Sequence, residues 1–200
     1  ALYGTPGLKV WKNLGLYNPI YGIERMNENI YVVCGDAVYK IDSSGTSTLL
    51  GSMGTTPGRV MMTNNGTQVT ILAEGGQAFY CTSSAGSLTQ ITSGNYNNSD
   101  SVTTQDGFTI FTKKAARQFQ ISALNATETY AALDFATVEA NGDNIIRAIS
   151  NNLEVWFFKE SITEVYYNSG NVTFPFERKN GVFIQKGCAA KYSVSILDNS

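Results

Sequence analysis

Five carboxylates, Glu24, Glu74, Asp106, Asp143 and Glu154, are spread along the whole chain. Two carboxyl groups facing one another are what a glycoside hydrolase uses, one as acid and the other as base or nucleophile. These five form no recognisable pair, and most fall in turns or at outward strand positions where a solvated carboxylate is expected. The chain has no histidine, which removes Ser-His-Asp triads and most zinc chemistry. Cys34, Cys81 and Cys188 lie far apart with no CxxC spacing, so they read as small buried hydrophobes rather than metal ligands. No metal, cofactor or catalytic residue follows from these residues.

Binding chemistry has two further candidates. Lys113, Lys114 and Arg117 form the longest basic cluster; they are the residues to test for DNA contact, against the reading of a solvated turn. Duplex binding normally rests on several cations neutralising phosphates together, and a net charge of -2 with no basic run does not suggest a nucleic-acid clamp. Trp11, Trp156, Tyr80 and Tyr166 can stack on sugar rings as in a carbohydrate-binding module, or fill space between packed sheets.

The elements that must position these residues are short strands. A chain of 200 residues, 42% hydrophobic and 15% charged, can bury a substantial core. It has no run of eighteen apolar residues and therefore no helical membrane span. Abundant Gly, Ser, Thr and Asn point to tight turns between strands. From 153 to 187 the sequence alternates with a period of two: Leu153, Val155 and Phe157 against Glu154, Trp156 and Phe158, then Val165 and Tyr167 against Glu164 and Tyr166. Phe174, Phe176 and Val182 to Ile184 supply a last strand edge.

Upstream, that pattern repeats. The first unit reads as strands at 23–26, 30–33, 38–41 and 48–50, the second at 60–62, 69–72, 78–81 and 88–91, and the third at 102–104, 108–112, 118–121 and 130–133. Tyr39, Phe79, Phe119 and Val165 superpose at steps of 40, 40 and 46 residues. With Ile41, Cys81, Ile121, Tyr167, Val155 and Phe157 they are the expected inter-blade core. Lys40, Tyr80, Gln120 and Tyr166 fall on a more polar face. Repeated four-stranded units of this length mark a β-propeller, with a β-sandwich as the alternative.

The expectation is all-β: a propeller-like array of four-stranded antiparallel blades, incomplete in this stretch. It is a single propeller domain or a fragment of one, with blades at 22–53, 58–94, 100–136 and 144–187 and a trailing strand at 192–200. Leu8 to Trp11 is a candidate lone outer strand, and the absence of an initial Met suggests a piece of a longer chain.

The opening Leu2-Tyr3-Gly4-Thr5-Pro6-Gly7-Leu8 and the run Ile30-Tyr31-Val32-Val33-Cys34-Gly35 leading into Val38-Tyr39-Lys40-Ile41 resemble the packaged-DNA stabilisation proteins of short-tailed bacteriophages, the tail accessory or hub proteins. Leu133-Asp134-Phe135-Ala136-Thr137-Val138-Glu139, Leu153-Glu154-Val155-Trp156-Phe157-Phe158 and Thr163-Glu164-Val165-Tyr166-Tyr167-Asn168-Ser169-Gly170 continue the likeness in order. Phe174-Pro175-Phe176-Glu177-Arg178 and Gly187-Cys188-Ala189-Ala190 follow. The resemblance implies a structural virion protein of the phage tail, made in the bacterial host cytoplasm and not an enzyme. It implies a homo-oligomeric ring of six copies below the portal and its adaptor, extending the DNA channel and retaining packaged DNA until the tail needle closes it. DNA would pass through without tight binding, and no membrane is involved. Family members continue for a comparable length again, so ring-forming and needle-binding surfaces are not assigned here. A carbohydrate-binding propeller module is the alternative function, and a glycoside hydrolase the third.

Overall fold

A computed structural model describes residues 7, 9–15, 17–55, 58–84 and 86–196. Among them are sixteen strands and no helix. The first sheet holds β1 (Ile20–Met26), β2 (Asn29–Cys34), β3 (Ala37–Ile41) and β4 (Ser47–Ser52), and the second holds β5 (Val60–Asn64), β6 (Gln68–Ala73), β7 (Ala78–Thr82) and β8 (Thr89–Gln90). The third holds β9 (Ser99–Gln105), β10 (Phe108–Lys113), β11 (Gln118–Ile121) and β12 (Phe135–Thr137), and the fourth holds β13 (Ile145–Asn151), β14 (Glu154–Lys159), β15 (Thr163–Asn168) and β16 (Phe176–Ile184). Each is an antiparallel meander whose strands lie in sequence order. Four successive sheets, rather than two stacked ones, exclude the β-sandwich.

Tight turns build the meanders. Asp106 and Gly107, and Asn152 and Leu153, all have positive φ, the backbone of a two-residue hairpin loop whose twist matches the flanking strands. Leu153, expected in the strand, therefore occupies the turn with φ 65°, and β14 begins one residue later. Its side chain is mostly exposed.

Packing between sheets makes the core. The first strands of the sheets follow one another, β1 against β5, β5 against β9 and β9 against β13, and β13 does not return to pack on β1 in the same way. The array is an open arc. Met26, Tyr31, Val33, Val38 and Leu50 meet Val69, Ile71, Phe79 and Cys81 between the first two sheets. Met61, Leu72, Ala78 and Ile91 meet Val102 and Phe111 between the second and third. Ile110, Phe119 and Ile121 meet Val155, Phe157 and Tyr166 between the third and fourth. A sheet with neighbours on both sides buries both faces, so the division into one apolar and one polar face does not hold. Val69, Thr70, Ile71 and Leu72 are all buried.

Superposing the third strands at constant steps also misassigns their faces. Leu72 pairs with Ala78, whereas Thr112, forty residues on, pairs with Phe119, because the β10–β11 hairpin is one residue longer. A slip of one residue turns every side chain to the other face. Phe79 thus packs toward the first sheet, but Phe119 packs toward the fourth, with its ring 4.4 Å from that of Phe157. On β15 it is Tyr166 that enters the core, while Tyr167 is 39% exposed.

Other expectations shift as well. Tyr130 to Leu133 is not the fourth strand of its sheet. Asp134 Oδ2 accepts a hydrogen bond from the Ala131 amide and folds that stretch into a turn, and β12 forms later, at Phe135–Thr137. Tyr130 instead inserts beside Tyr96 and Phe111. Phe176 and Val182 to Ile184 belong to one irregular strand, β16, paired with β15. Lys9 to Trp11 carry no strand structure, and Leu8 lies outside the described residues. Tyr192 to Ile196 run as a turn and irregular chain, with 197–200 outside the described residues.

Candidate functional site

Lys113 closes β10, and Lys114 to Arg117 form the turn into β11, with Ala115 at φ 50°. The Lys114 amide donates to Asn98 O at 2.9 Å, the Arg117 carbonyl accepts from the Val138 amide at 2.8 Å, and Asp100 Oδ2 accepts from the Ala115 amide at 2.9 Å. The turn is thus tied on both sides to neighbouring chain. Lys114 and Arg117 are exposed. Lys113 is half-buried and its Nζ donates to Gln118 Oε1 at 3.3 Å. The structure therefore separates the three cations, two facing solvent and one turned along β11.

Lys113 also lines a cavity of about 420 Å³ on the third sheet. Gln118 and Gln120 on β11 line it, with Asn95 and Asn97 from the segment before β9 and Asp134 and Phe135 from the segment leading into β12. Gln120 is 4% exposed, and its Oε1 accepts from the backbone amide of Asn97 at 3.2 Å and from Asn97 Nδ2 at 3.0 Å. Its Nε2 is buried without a hydrogen-bond partner among the described residues. Sequence reading placed Gln120 on a polar face but had no signal for the cavity, which is built by two connecting segments.

The candidate acids are each engaged locally. Glu24 Oε1 accepts from Asn64 Nδ2 at 2.6 Å, and burial raises its pKa above 4.5, opposed by that hydrogen bond. Glu74 accepts from the Arg59 amide, Asp106 from Gln105 and Asn168, and Asp143 from Asn141 and Ser161. Glu154 pairs with Lys179. Cys34 and Cys81 are buried, and burial pushes the Cys81 thiol up to about 11. Cys188 is only half-buried, contrary to its reading as a buried hydrophobe, because it follows the last strand; its Sγ donates to Ala190 O at 3.1 Å. Of the aromatics, Tyr166 is 6% exposed and Tyr80 and Trp156 are half-buried, while Trp11 is 59% exposed.

One charged cluster escaped sequence reading. Lys159 and Glu164 are both fully buried, with Nζ 3.5 Å from Oε1. Lys159 Nζ also donates to the carbonyls of Val138 and Asn141, and Glu164 Oε1 accepts from the Ala140 amide at 3.1 Å. Arg178 Nε lies 3.4 Å from the other carboxylate oxygen, within ion-pair reach but outside hydrogen-bond geometry. The signal was present: Lys159 continues the inward alternation of Val155 and Phe157.

Against known proteins, a family model described as the bacteriophage P22 Gp10 β-propeller matches residues 2–200. No curated protein matches the chain. Among solved structures, the computationally designed Ika4 protein superposes with a TM-score of 0.58 at 8% identity, covering 80% of this chain and 99% of that one. YCF48 from Cyanidioschyzon merolae gives 0.56 at 12% identity, covering 84% of this chain and 61% of that one. Kluyveromyces lactis Hsv2 gives 0.53 at 11%, covering 76% and 50%. This chain thus spans about half to three-fifths of the last two, and at such identities the likeness shows the fold alone.

Proposed function

This chain belongs to the phage stabilisation family of the P22 Gp10 β-propeller, and from that membership we propose that it serves in the virion tail as a head-completion or hub protein. In this reading copies of the intact protein form a ring, of six subunits, below the portal and adaptor. The ring extends the DNA channel, holds packaged DNA, and meets the tail needle. The four sheets act as blades of one propeller domain, and the intact chain is synthesised in the host cytoplasm before it joins the virion. The match across residues 2–200 carries the reading.

The charge pattern supports it. A conduit must not grip phosphates, since each lysine or arginine held on the duplex displaces counterions and slows passage. Several cations here are already engaged within the protein. Lys159 is fully buried, Lys191 Nζ pairs with Asp100 Oδ1 at 3.0 Å, and the Arg59 guanidinium sits over the Tyr192 ring. Lys114 and Arg117 remain exposed, and with Lys113 they are the proposed points of weak DNA contact.

The reading is tested by adding the intact protein to DNA-filled heads that lack it and following protection of the genome from nuclease. Restored protection is expected, with a mass corresponding to six copies on the particle. A well-folded protein that protects no DNA overturns the reading. The Lys114→Ala/Arg117→Ala pair is expected to retain protection while weakening any salt-sensitive DNA association; an unchanged association removes these residues from the proposal.

A further inference from the structure

Asn-Gly occurs at 65–66, 141–142 and 180–181. In such a pair the glycine, with no Cβ in the way, lets its nitrogen approach the asparagine side chain, and the fold decides whether the two meet. We propose that Asn141 is a self-modification site, at which the folded protein promotes its own conversion to aspartate or isoaspartate.

The Gly142 amide nitrogen lies 2.5 Å from Asn141 Oδ1. In an ordinary asparagine turn the side-chain oxygen takes the amide two residues on, as it does at Asn13, Asn64, Asn65, Asn168 and Asn171. At Asn141 the contact is with the next residue. It brings the Gly142 nitrogen beside Cγ, the carbon bonded to that oxygen, close to the separation of about 3 to 3.5 Å from which reacting atoms begin. Asn141 Nδ2 donates to Ser161 Oγ at 2.9 Å and to Asp143 Oδ2 at 3.2 Å, which holds the side chain in this pose.

Lys159 adds an electrostatic push. Its buried Nζ donates to the Asn141 carbonyl, the other end of the peptide unit that supplies the Gly142 nitrogen. A cation there stabilises the anion left when the amide proton is removed, and Gly142 is exposed, so solvent base reaches that proton. The other two pairs lack this arrangement. Asn65 Oδ1 accepts from the Thr67 and Gln68 amides at 3.0 and 2.7 Å, and the Gly66 amide donates to Asn64 instead. Asn180 and Gly181 lie exposed in β16.

Base takes the Gly142 amide proton, and the nitrogen pair forms a bond to Asn141 Cγ. The Cγ–Nδ2 bond breaks, and Nδ2 leaves as ammonia with a proton from water. Water then adds to one carbonyl of the resulting cyclic imide and opens it, giving aspartate or, with the main chain routed through Cγ, isoaspartate. Either product puts a carboxylate beside Asp143 where an amide donor stood, and isoaspartate displaces the carbonyl that holds Lys159. The change runs one way and loosens the tie between this segment and the fourth sheet.

The test incubates the intact, folded protein at pH 7 and pH 9 and follows each asparagine by peptide mapping with enzymatic isoaspartate methylation. Asn141 is expected to convert about tenfold faster than Asn180 in the same molecules, faster at the higher pH, and unfolding in urea is expected to bring the two rates together. Gly142→Ala, whose added Cβ meets open space, keeps the fold and slows conversion at Asn141 about tenfold while Asn180 is unchanged. Asn141→Asp is expected to melt at a lower temperature than the parent. Conversion at Asn141 no faster than at Asn180, faster in urea than in the folded protein, or indifferent to Gly142→Ala overturns the proposal; an unchanged melting temperature for Asn141→Asp overturns the loosening. Nuclease protection of filled heads is a separate readout, so failure here leaves the tail reading standing.

Discussion

At the level of single residues, the buried Lys159–Glu164 pair ties the segment between β12 and β13 to the fourth sheet at a cost. Two charges taken out of water regain that cost only when each is fully bonded, and here Lys159 is satisfied by two carbonyls as well as by Glu164. Removing one partner leaves the other charge stranded. Lys159→Met is expected to destabilise the fold by about 3 to 5 kcal/mol in denaturant titration, and Lys159→Met/Glu164→Met by clearly less. A double variant no better than the single one would show that the backbone contacts of Lys159, not the charge pair, supply the stability.

Glu24 gives the pH dependence. Burial raises its folded pKa, so the folded state binds its proton more tightly than the unfolded state does. The resulting penalty is absent below the unfolded value of 4.5 and grows as pH rises through the folded one. Glu24→Gln keeps the acceptor for Asn64 and is expected to raise Tm at pH 7, with the gain vanishing near pH 4. A gain of equal size at both pH values would assign the effect to something other than ionisation. Among the thiols, Cys188 is expected to react with a disulfide reagent in the native protein while Cys34 and Cys81 wait for unfolding, because they are buried.

At the level of elements, the Asn152–Leu153 turn is the place where local and global demands disagree. A two-residue hairpin loop asks for positive φ at both positions, and leucine adopts it with strain. Leu153→Gly is expected to raise stability by up to about 1 kcal/mol, since the exposed side chain gives up little burial. A fall in Tm would mean that Leu153 packs on another molecule or segment. Phe119→Ala, by contrast, opens the layer shared by Phe157, Tyr166 and Phe174 and is expected to cost about 3 to 5 kcal/mol. An unchanged melting temperature would contradict the packing of β11 on the fourth sheet.

On the scale of the whole molecule, the arc has two middle sheets buried on both faces and two end sheets that are not. Val32, Cys34 and Ile41 on the outer face of the first sheet meet Leu14, and Trp156 and Phe158 on the fourth lie beside Val194 and Ile196. Stability in such arrays is the sum of each unit and its neighbours. Amides of β6 and β10 are therefore expected to exchange with solvent more slowly than those of β3 and β16; equal protection along the chain would mean that the ends are covered as well as the middle.

Strands and turns were legible from the sequence because both are local. A period of two, Asp-Gly and Asn-rich punctuation, and recurrence of the four-strand unit mark the elements without reference to anything distant, and the ordered motifs lead to the family that the comparison shows. Side-chain facing was not local. It depends on the number of residues in each hairpin, and one extra residue between Thr112 and Phe119 sends Phe119 to the fourth sheet and leaves Gln120 on the other face, bonded to Asn97. Lys159 shows the same limit, since a lysine continuing an apolar alternation has meaning only once Glu164 and two carbonyls surround it. The sequence alone determined most of the strands, though not the place of β12, and that the strands recur as blades. Only the tertiary structure decided which residues share an interface and that the arc stays open, because those outcomes rest on neighbours that alternation along one strand cannot name.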